Sequence, residues 1–173
     1  MIILLTGGSA CGKSSFAEEL CLGLPLPRYY IAAMQPYGAE GEERIRRHRK
    51  LREGKGFETI ERYTALDGLR LPGRGTALVE CICNLTANEM FHGEGSFRDP
   101  CESVLRGTAA LAEQCDNLVI ITNDVGSDAI EYGEGTNAYV KAMGRINAAL
   151  AEKADTVCEL VCGIPLILKG RLP

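Results

Sequence analysis

Eight residues near the start of the chain can hold a phosphate. Gly7-Gly8-Ser9-Ala10-Cys11-Gly12-Lys13-Ser14 satisfies G-x-x-x-x-G-K-[ST] at every fixed position. The glycines permit backbone conformations that a Cβ would block, so successive N–H groups can turn toward one anion. Lys13 brings a point charge to the β- and γ-phosphates, and Ser14 offers a hydroxyl to Mg²⁺. Cys11 reads as a variable position of this loop and not as a nucleophile. Glu80 ends a buried apolar run, a place from which a carboxylate can help to hold Mg²⁺ opposite a phosphate loop. His48 stands among Arg44, Arg46, Arg47, Arg49, Lys50 and Arg52. These cations disfavour imidazolium, and a neutral imidazole can attack phosphorus. Arg44, His48 and Arg52 are spaced four apart and would share one helical face. A solvated basic face is the competing reading of such a charge run. Asp124 and Asp128 could orient a hydroxyl or a water, or only cap their loop. His92 reads as a surface histidine.

The elements around these residues alternate between two periods. Apolar runs at residues 2–5, 29–33, 57–61, 76–82 and 117–122 read as strands. Helices are expected over residues 15–22, 42–52, 84–91, 101–115 and 137–154, with a helical turn at 65–69. Residues 156–162 and 166–169 read as a terminal hairpin turning at Gly163-Ile164-Pro165, which puts an antiparallel strand at one sheet edge. Strands alternating with helices predict an α/β three-layer sandwich around a mostly parallel sheet, a single domain over 1–173. In such sheets ligands lie at the carboxyl ends of the strands. That rule should bring the phosphate loop, the segment after residue 32, Glu80 and the segment after Thr122 to one place.

Composition narrows the class. The chain has 173 residues with 46% hydrophobic content, enough for a real core. A net charge of −4 argues against general nucleic-acid binding by its surface. No apolar run is long enough to cross a bilayer. The run at residues 2–5 is too short for a secretion signal and leads straight into the phosphate loop, so a cytoplasmic location is expected. The eight cysteines should then be thiols. Cys81-x-Cys83 and Cys158-x-x-x-Cys162 lie in apolar runs and read as small buried hydrophobes.

Taken in order, several segments resemble one family. They are Leu5-Thr6-Gly7-Gly8 with Gly12-Lys13-Ser14, Tyr30-Ile31-Ala32, Arg44-Ile45-x-x-His48-Arg49, Val79-Glu80-Cys81, Thr122-Asn123-Asp124-Val125-Gly126 and Gly144-Arg145-Ile146-Asn147. Leu150-Ala151 and Gly163-Ile164-Pro165 complete the set. The resemblance is to the bifunctional adenosylcobinamide kinase / adenosylcobinamide-phosphate guanylyltransferase of cobalamin synthesis. It implies a recombinase-like P-loop NTPase fold, ATP and GTP as substrates, adenosylcobinamide and its phosphate as acceptors, and a homotrimer. It also implies a guanylylated histidine, which falls on His48. Nucleotide-binding positions would fall on Gly7 through Ser14, on Ala32, Ala33 and Met34, on Arg49, Lys50, Leu51 and Arg52, and on Glu61 and Glu80. Val140-Lys141 stand where that family carries Arg-Asp, and Phe57 where it commonly carries tryptophan. From the residues alone, a monofunctional small-molecule kinase and a non-catalytic nucleotide-binding regulator remain the other readings.

Overall fold

Seven strands form one sheet in the order β3-β2-β4-β5-β1-β6-β7. They are β1 (Ile2–Thr6), β2 (Arg28–Ala32), β3 (Phe57–Glu61), β4 (Thr76–Val79), β5 (Asn117–Ile121), β6 (Thr156–Val161) and β7 (Ile164–Lys169). The structure, a computed structural model, describes residues 1–36, 38–91, 98–126, 130 and 132–173, the side chains at 39, 40 and 44 excepted. Six strands run parallel and β7 alone pairs antiparallel, with β6. The α/β architecture and the antiparallel edge are as the sequence led one to expect.

Strand alternation divides the core in two. Leu4, Tyr29, Ile31, Val79, Leu118 and Ile120 face one side of the sheet, under α3 (Ile82–Phe91), α4 (Cys101–Gln114) and α5 (Glu134–Lys153). Ile3, Leu5, Tyr30, Leu78, Val119 and Ile121 face the other, under α1 (Lys13–Leu22). Both faces of the central strands are covered, which is why β5 is a continuous apolar run rather than an alternating one. Connectivity explains which helix goes where. From β1 the chain steps outward to β2 and again to β3, through α1 and then α2 (Gly38–Leu51). It then steps back the opposite way through β4, β5 and β6. Right-handed crossovers in opposite directions place their helices on opposite faces.

Some boundaries differ from expectation, each for a local reason. The strand expected over 76–82 ends at Val79, because α3 already begins at Ile82; Glu80 therefore lies in the short link between them. The basic helix starts four residues early, at Gly38, and stops at Leu51, so Arg52 is outside it. α5 starts at Glu134 rather than at 137. In the terminal hairpin, Cys162 and Gly163 make the turn with φ of 51° and 81°, and Ile164-Pro165 already belong to β7. Proline is tolerated there because β7 is an edge strand.

Gly107 shows how closely the layers approach. It lies inside α4, where alanine would ordinarily be the better helix former by about 1 kcal/mol. A Cβ at this position would sit 2.7 Å from the Leu66 Cβ and 3.2 Å from the Asp67 amide, in the 3-10 turn Leu66–Gly68 that packs on the helix. Gly107→Ala is therefore expected to destabilise the chain by about 1–3 kcal/mol despite the gain in propensity. Urea unfolding with an unchanged m-value checks this. Equal or higher stability would show that the turn yields.

Candidate functional site

The phosphate loop lies between the end of β1 and the start of α1. Gly12, at φ 96°, caps the helix, and the Phe16 amide donates to its carbonyl at 3.0 Å. Gly7 is required by space as well as by conformation. At φ 134°, a Cβ would come within 2.5 Å of the Leu160 carbonyl oxygen on β6. The loop is also braced from the hairpin, where the Gly163 amide donates to the Cys11 carbonyl at 3.0 Å. Lys13 is buried, at 6% exposure. Its ammonium donates to the carbonyls of Gly7 (2.8 Å) and Gly8 (2.5 Å) and lies 3.5 Å from the Cys11 sulfur.

A cavity of about 470 Å³ opens above this loop. Ser9, Ala10, Cys11, Gly12, Lys13 and Ser14 form one wall, and Met34, Arg47, His48, Leu51, Glu80, Asn84 and Asn123 form the others. The carboxyl ends of β1, β2, β4 and β5 thus converge, as the strand-end rule requires. Asn84, Asn123 and Arg47 lay in segments that the sequence reading drew on, but none was singled out there as a site residue. Asn123 comes two residues after the end of β5, and Asn84 stands in the first turn of α3, just past the end of β4; that proximity to the central strand ends is the cue that could have singled them out. The end of β5 is held by Asn147 of α5. Thr122 donates its hydroxyl to the Asn147 side-chain oxygen at 2.6 Å, and the Asn147 amide donates to the Asn123 carbonyl at 3.1 Å. That contact accounts physically for the asparagine of the Gly144-Arg145-Ile146-Asn147 segment.

His48 and Glu80 belong to this cavity and also to a narrow crevice beside it, which Ala32, Met34, Ile45, Arg49, Arg52, Thr59 and Glu61 complete. His48 Nδ1 is 3.6 Å from Glu80 Oε1, and Glu80 is only 6% exposed. The sequence reading surrounded His48 with cations; the structure adds an anion at close range. Arg49 pairs with Glu61 at 2.5 Å, and Tyr63 donates to the other Glu61 oxygen at 2.8 Å. Beyond the crevice lies an open basin of about 680 Å³, lined by Arg49, Lys50, Arg52, Gly54, Phe57 and Thr59.

Two sequence assignments need correction. Arg44, His48 and Arg52 were expected to share a face, but α2 ends before Arg52. The guanidinium of Arg52 instead lies over the Tyr30 ring, its Cζ 3.4 Å from the centroid, and the residue is buried. Burial and the nearby Glu80 carboxylate push the Tyr30 hydroxyl well above its ordinary range. Ala33 faces the core on the α3 side, and its carbonyl accepts from the Asn88 amide at 2.8 Å, so it does not line the crevice.

The remaining candidates are placed as follows. Asp124 is exposed, and only its backbone amide reaches the loop, at 3.4 Å from the Gly7 carbonyl. His92 and Asp128 lie outside the described residues. All eight cysteines are unpaired. Cys81 and Cys83, read as small buried hydrophobes, influence each other next to Glu80. Hydrogen bonding from the Cys81 thiol, then from Asn123 and Tyr139, pulls Cys83 below its ordinary value, and Cys81 is correspondingly pushed up.

Mg²⁺ fits this site in one way. Ser14 and Glu80 line the same cavity as Lys13. Among the described residues no group of three His, Cys, Asp or Glu side chains could hold an ion without help. One hydroxyl and one carboxylate are what Mg²⁺ takes from a protein when phosphates and water supply the rest. Among the described residues no helix is long and apolar enough to cross a membrane.

Comparison with known proteins places these features in context. A family model described as "Cobinamide kinase / cobinamide phosphate guanyltransferase" matches residues 3–168. The "Bifunctional adenosylcobalamin biosynthesis protein CobU" of Escherichia coli K12 is 30% identical over 184 residues, covering 98% of this chain and 100% of that protein. "Bifunctional adenosylcobalamin biosynthesis protein CobP" of Pseudomonas aeruginosa is 30% identical over 171 residues, 97% of each chain. The Salmonella typhimurium CobU protein is likewise 30% identical, over 98% of this chain and 100% of its own length.

Proposed function

The chain belongs to the cobinamide kinase / cobinamide phosphate guanyltransferase family, and from that premise we propose that it carries out two transfers from nucleoside triphosphates at one phosphate loop. In the first, the hydroxyl oxygen of the aminopropanol arm of adenosylcobinamide attacks the γ-phosphorus of ATP or GTP. The γ-phosphorus parts from its bridging oxygen, the nucleoside diphosphate leaves, and the hydroxyl proton passes to solvent. In the second, His48 attacks the α-phosphorus of GTP. A P–N bond forms, the bond to the bridging oxygen breaks, and pyrophosphate leaves. A phosphate oxygen of adenosylcobinamide phosphate then attacks the same phosphorus, the P–N bond breaks, and adenosyl-GDP-cobinamide is released.

The observation that carries this reading is that His48 shares one cavity with Lys13 and the loop amides. A histidine that only solvated a basic helix would have no reason to face a phosphate loop. Glu80, with Oε1 3.6 Å from Nδ1, is the acidic neighbour of the imidazole on the side of the crevice. Lys13 and the loop amides stabilise the charge that gathers on the leaving phosphates. Ser14, with Glu80, would hold Mg²⁺, which when bound neutralises the charge between β- and γ-oxygens. Ala32, Met34, Arg49, Arg52 and Glu61 point the guanosine toward the crevice, and Lys50 and Leu51 border its approaches. The crevice, at about 20 Å³, holds about one water and must widen to admit a base.

The oligomer that the family resemblance implies has a suitable surface. β7 exposes Ile164, Leu166, Ile167 and Leu168 along a free sheet edge, an arrangement that invites pairing with another chain. Unpaired thiols suit a reducing compartment, and the proposed location is the cytoplasm.

Labelled GTP tests the reading. After incubation and denaturation, label from the α-position is expected on the protein, acid-labile and alkali-stable, and label from the γ-position is not. γ-Phosphoryl transfer to adenosylcobinamide without any covalent label would make the chain a simple kinase. Binding with neither reaction would make it a regulator.

A further inference from the structure

The basic helix that bears His48 is supported almost entirely at one end. Among its described side chains only Ile45 and His48 are even half-buried, whereas Arg52, one residue past its end, is 7% exposed. The turn that follows is closed on itself. The amides of Arg52, Glu53 and Lys55 donate to the carbonyls of Arg49, Lys50 and Arg52 at 3.1–3.3 Å. Gly54 and Gly56 adopt φ of 77° and 71° on either side of Lys55. Two side chains fasten this turn to the body of the protein. Arg52 lies on the Tyr30 ring. Lys55 donates to Glu18 Oε2 at 2.8 Å and lies 3.3 Å from Glu19 Oε1.

Glu18 is an unusual anchor. It is 1% exposed and sits on α1, one and a half turns after Lys13. A carboxylate so buried needs a cation, and Lys55 supplies one. Its own side chain is 23% exposed. Lys55 lines neither the phosphate cavity, nor the crevice, nor the basin. Its contact therefore joins the helix that begins at the phosphate loop to the turn that ends the His48 helix, without touching either nucleotide region.

Resting on the reading of His48 given above, we infer that Lys55, through its ion pair with Glu18, is a positioning residue that sets His48 against the α-phosphorus of a nucleotide held by the phosphate loop. The consequence is selective. γ-Phosphoryl transfer is carried by the loop and Lys13 and does not require His48 at the α-phosphorus, so it depends far less on this contact. Attack by His48 depends on it directly, and a displacement of about 1 Å in a reacting group costs on the order of 10²-fold in rate.

The test uses the full chain with α-labelled GTP at saturation, in a single turnover, beside steady-state phosphorylation of adenosylcobinamide. Lys55→Met is expected to slow labelling of His48 by roughly 10- to 100-fold, with phosphorylation within about twofold of the native rate. Lys55→Arg, which keeps the charge, is expected to restore most of the labelling rate. Should Lys55→Met fail to fold, the pair Glu18→Gln with Lys55→Met removes both charges together, and the same selective loss is expected of it. Equal losses in both reactions, or an unchanged labelling rate, would overturn the inference while leaving the His48 reading intact. A native chain that takes no label would overturn the His48 reading and this inference with it.

Discussion

His48→Ala is expected to abolish guanylyl transfer and leave phosphorylation standing. The loss should be on the order of 10³-fold or more, because it removes the atom that forms the covalent bond. γ-Phosphoryl transfer to adenosylcobinamide should stay within about threefold, since the loop and Lys13 that serve it are untouched. The two outcomes separate catalysis from folding. The His48 side chain is 13% exposed, so truncation is expected to cost on the order of 1–2 kcal/mol, too little to unfold the chain. Labelling with α-labelled GTP and the phosphorylation rate, measured on one preparation, check both halves. Retention of the covalent label in His48→Ala would move the nucleophile elsewhere. Loss of phosphorylation in step with guanylyl transfer would mean that His48 contributes to binding rather than to one reaction.

How much of this was legible in the sequence depends on how local each signal is. The phosphate loop was fully legible because its residues are consecutive and its strand and helix are adjacent. β5 was legible because both of its faces are buried. The strand-end rule brought Glu80 to the phosphate loop but did not include His48, which lies on a helix, so their 3.6 Å approach was not legible. Arg52 was misplaced because a periodic pattern carries on through residues 49–52 while the chain does not. The left-handed Gly54 and Gly56 that follow stop the helix, and a charge run gives no sign that its last member will stack on an aromatic ring. Glu18 and Lys55 are 37 residues apart and belong to no motif. Each looks like a surface charge, and only the packing of α1 makes one of them buried. Cys83 is buried, as an apolar run implies, but the neighbours that pull its thiol below its ordinary value cannot be read from that run.

Lys13→Ala is expected to have the broader effect, because both transfers are assigned to one nucleotide position. The ammonium is buried and now bonded to the carbonyls of Gly7 and Gly8, so it is held at the rim of the loop where the terminal phosphates must enter. In phosphorylation it would steady the group being transferred. In guanylyl transfer the same β- and γ-phosphates are the departing pyrophosphate. Removing one preorganised charge of this kind costs roughly 10²–10³-fold, and kcat/KM for phosphorylation and the labelling rate at His48 should fall together by that order. Arginine is a poor substitute, since Cys11 at 3.5 Å and the two carbonyls leave little room for a guanidinium. A Lys13→Ala chain that lost phosphorylation yet labelled His48 at the native rate would contradict the shared position. GTP would then have to reach His48 from the basin beside Phe57 and Thr59, with its pyrophosphate directed away from the loop. Parallel losses, with Lys55→Met affecting labelling alone, would instead fix the order of events. In that outcome the loop would hold the triphosphate for both reactions, and the placement of the histidine would decide which phosphorus is attacked.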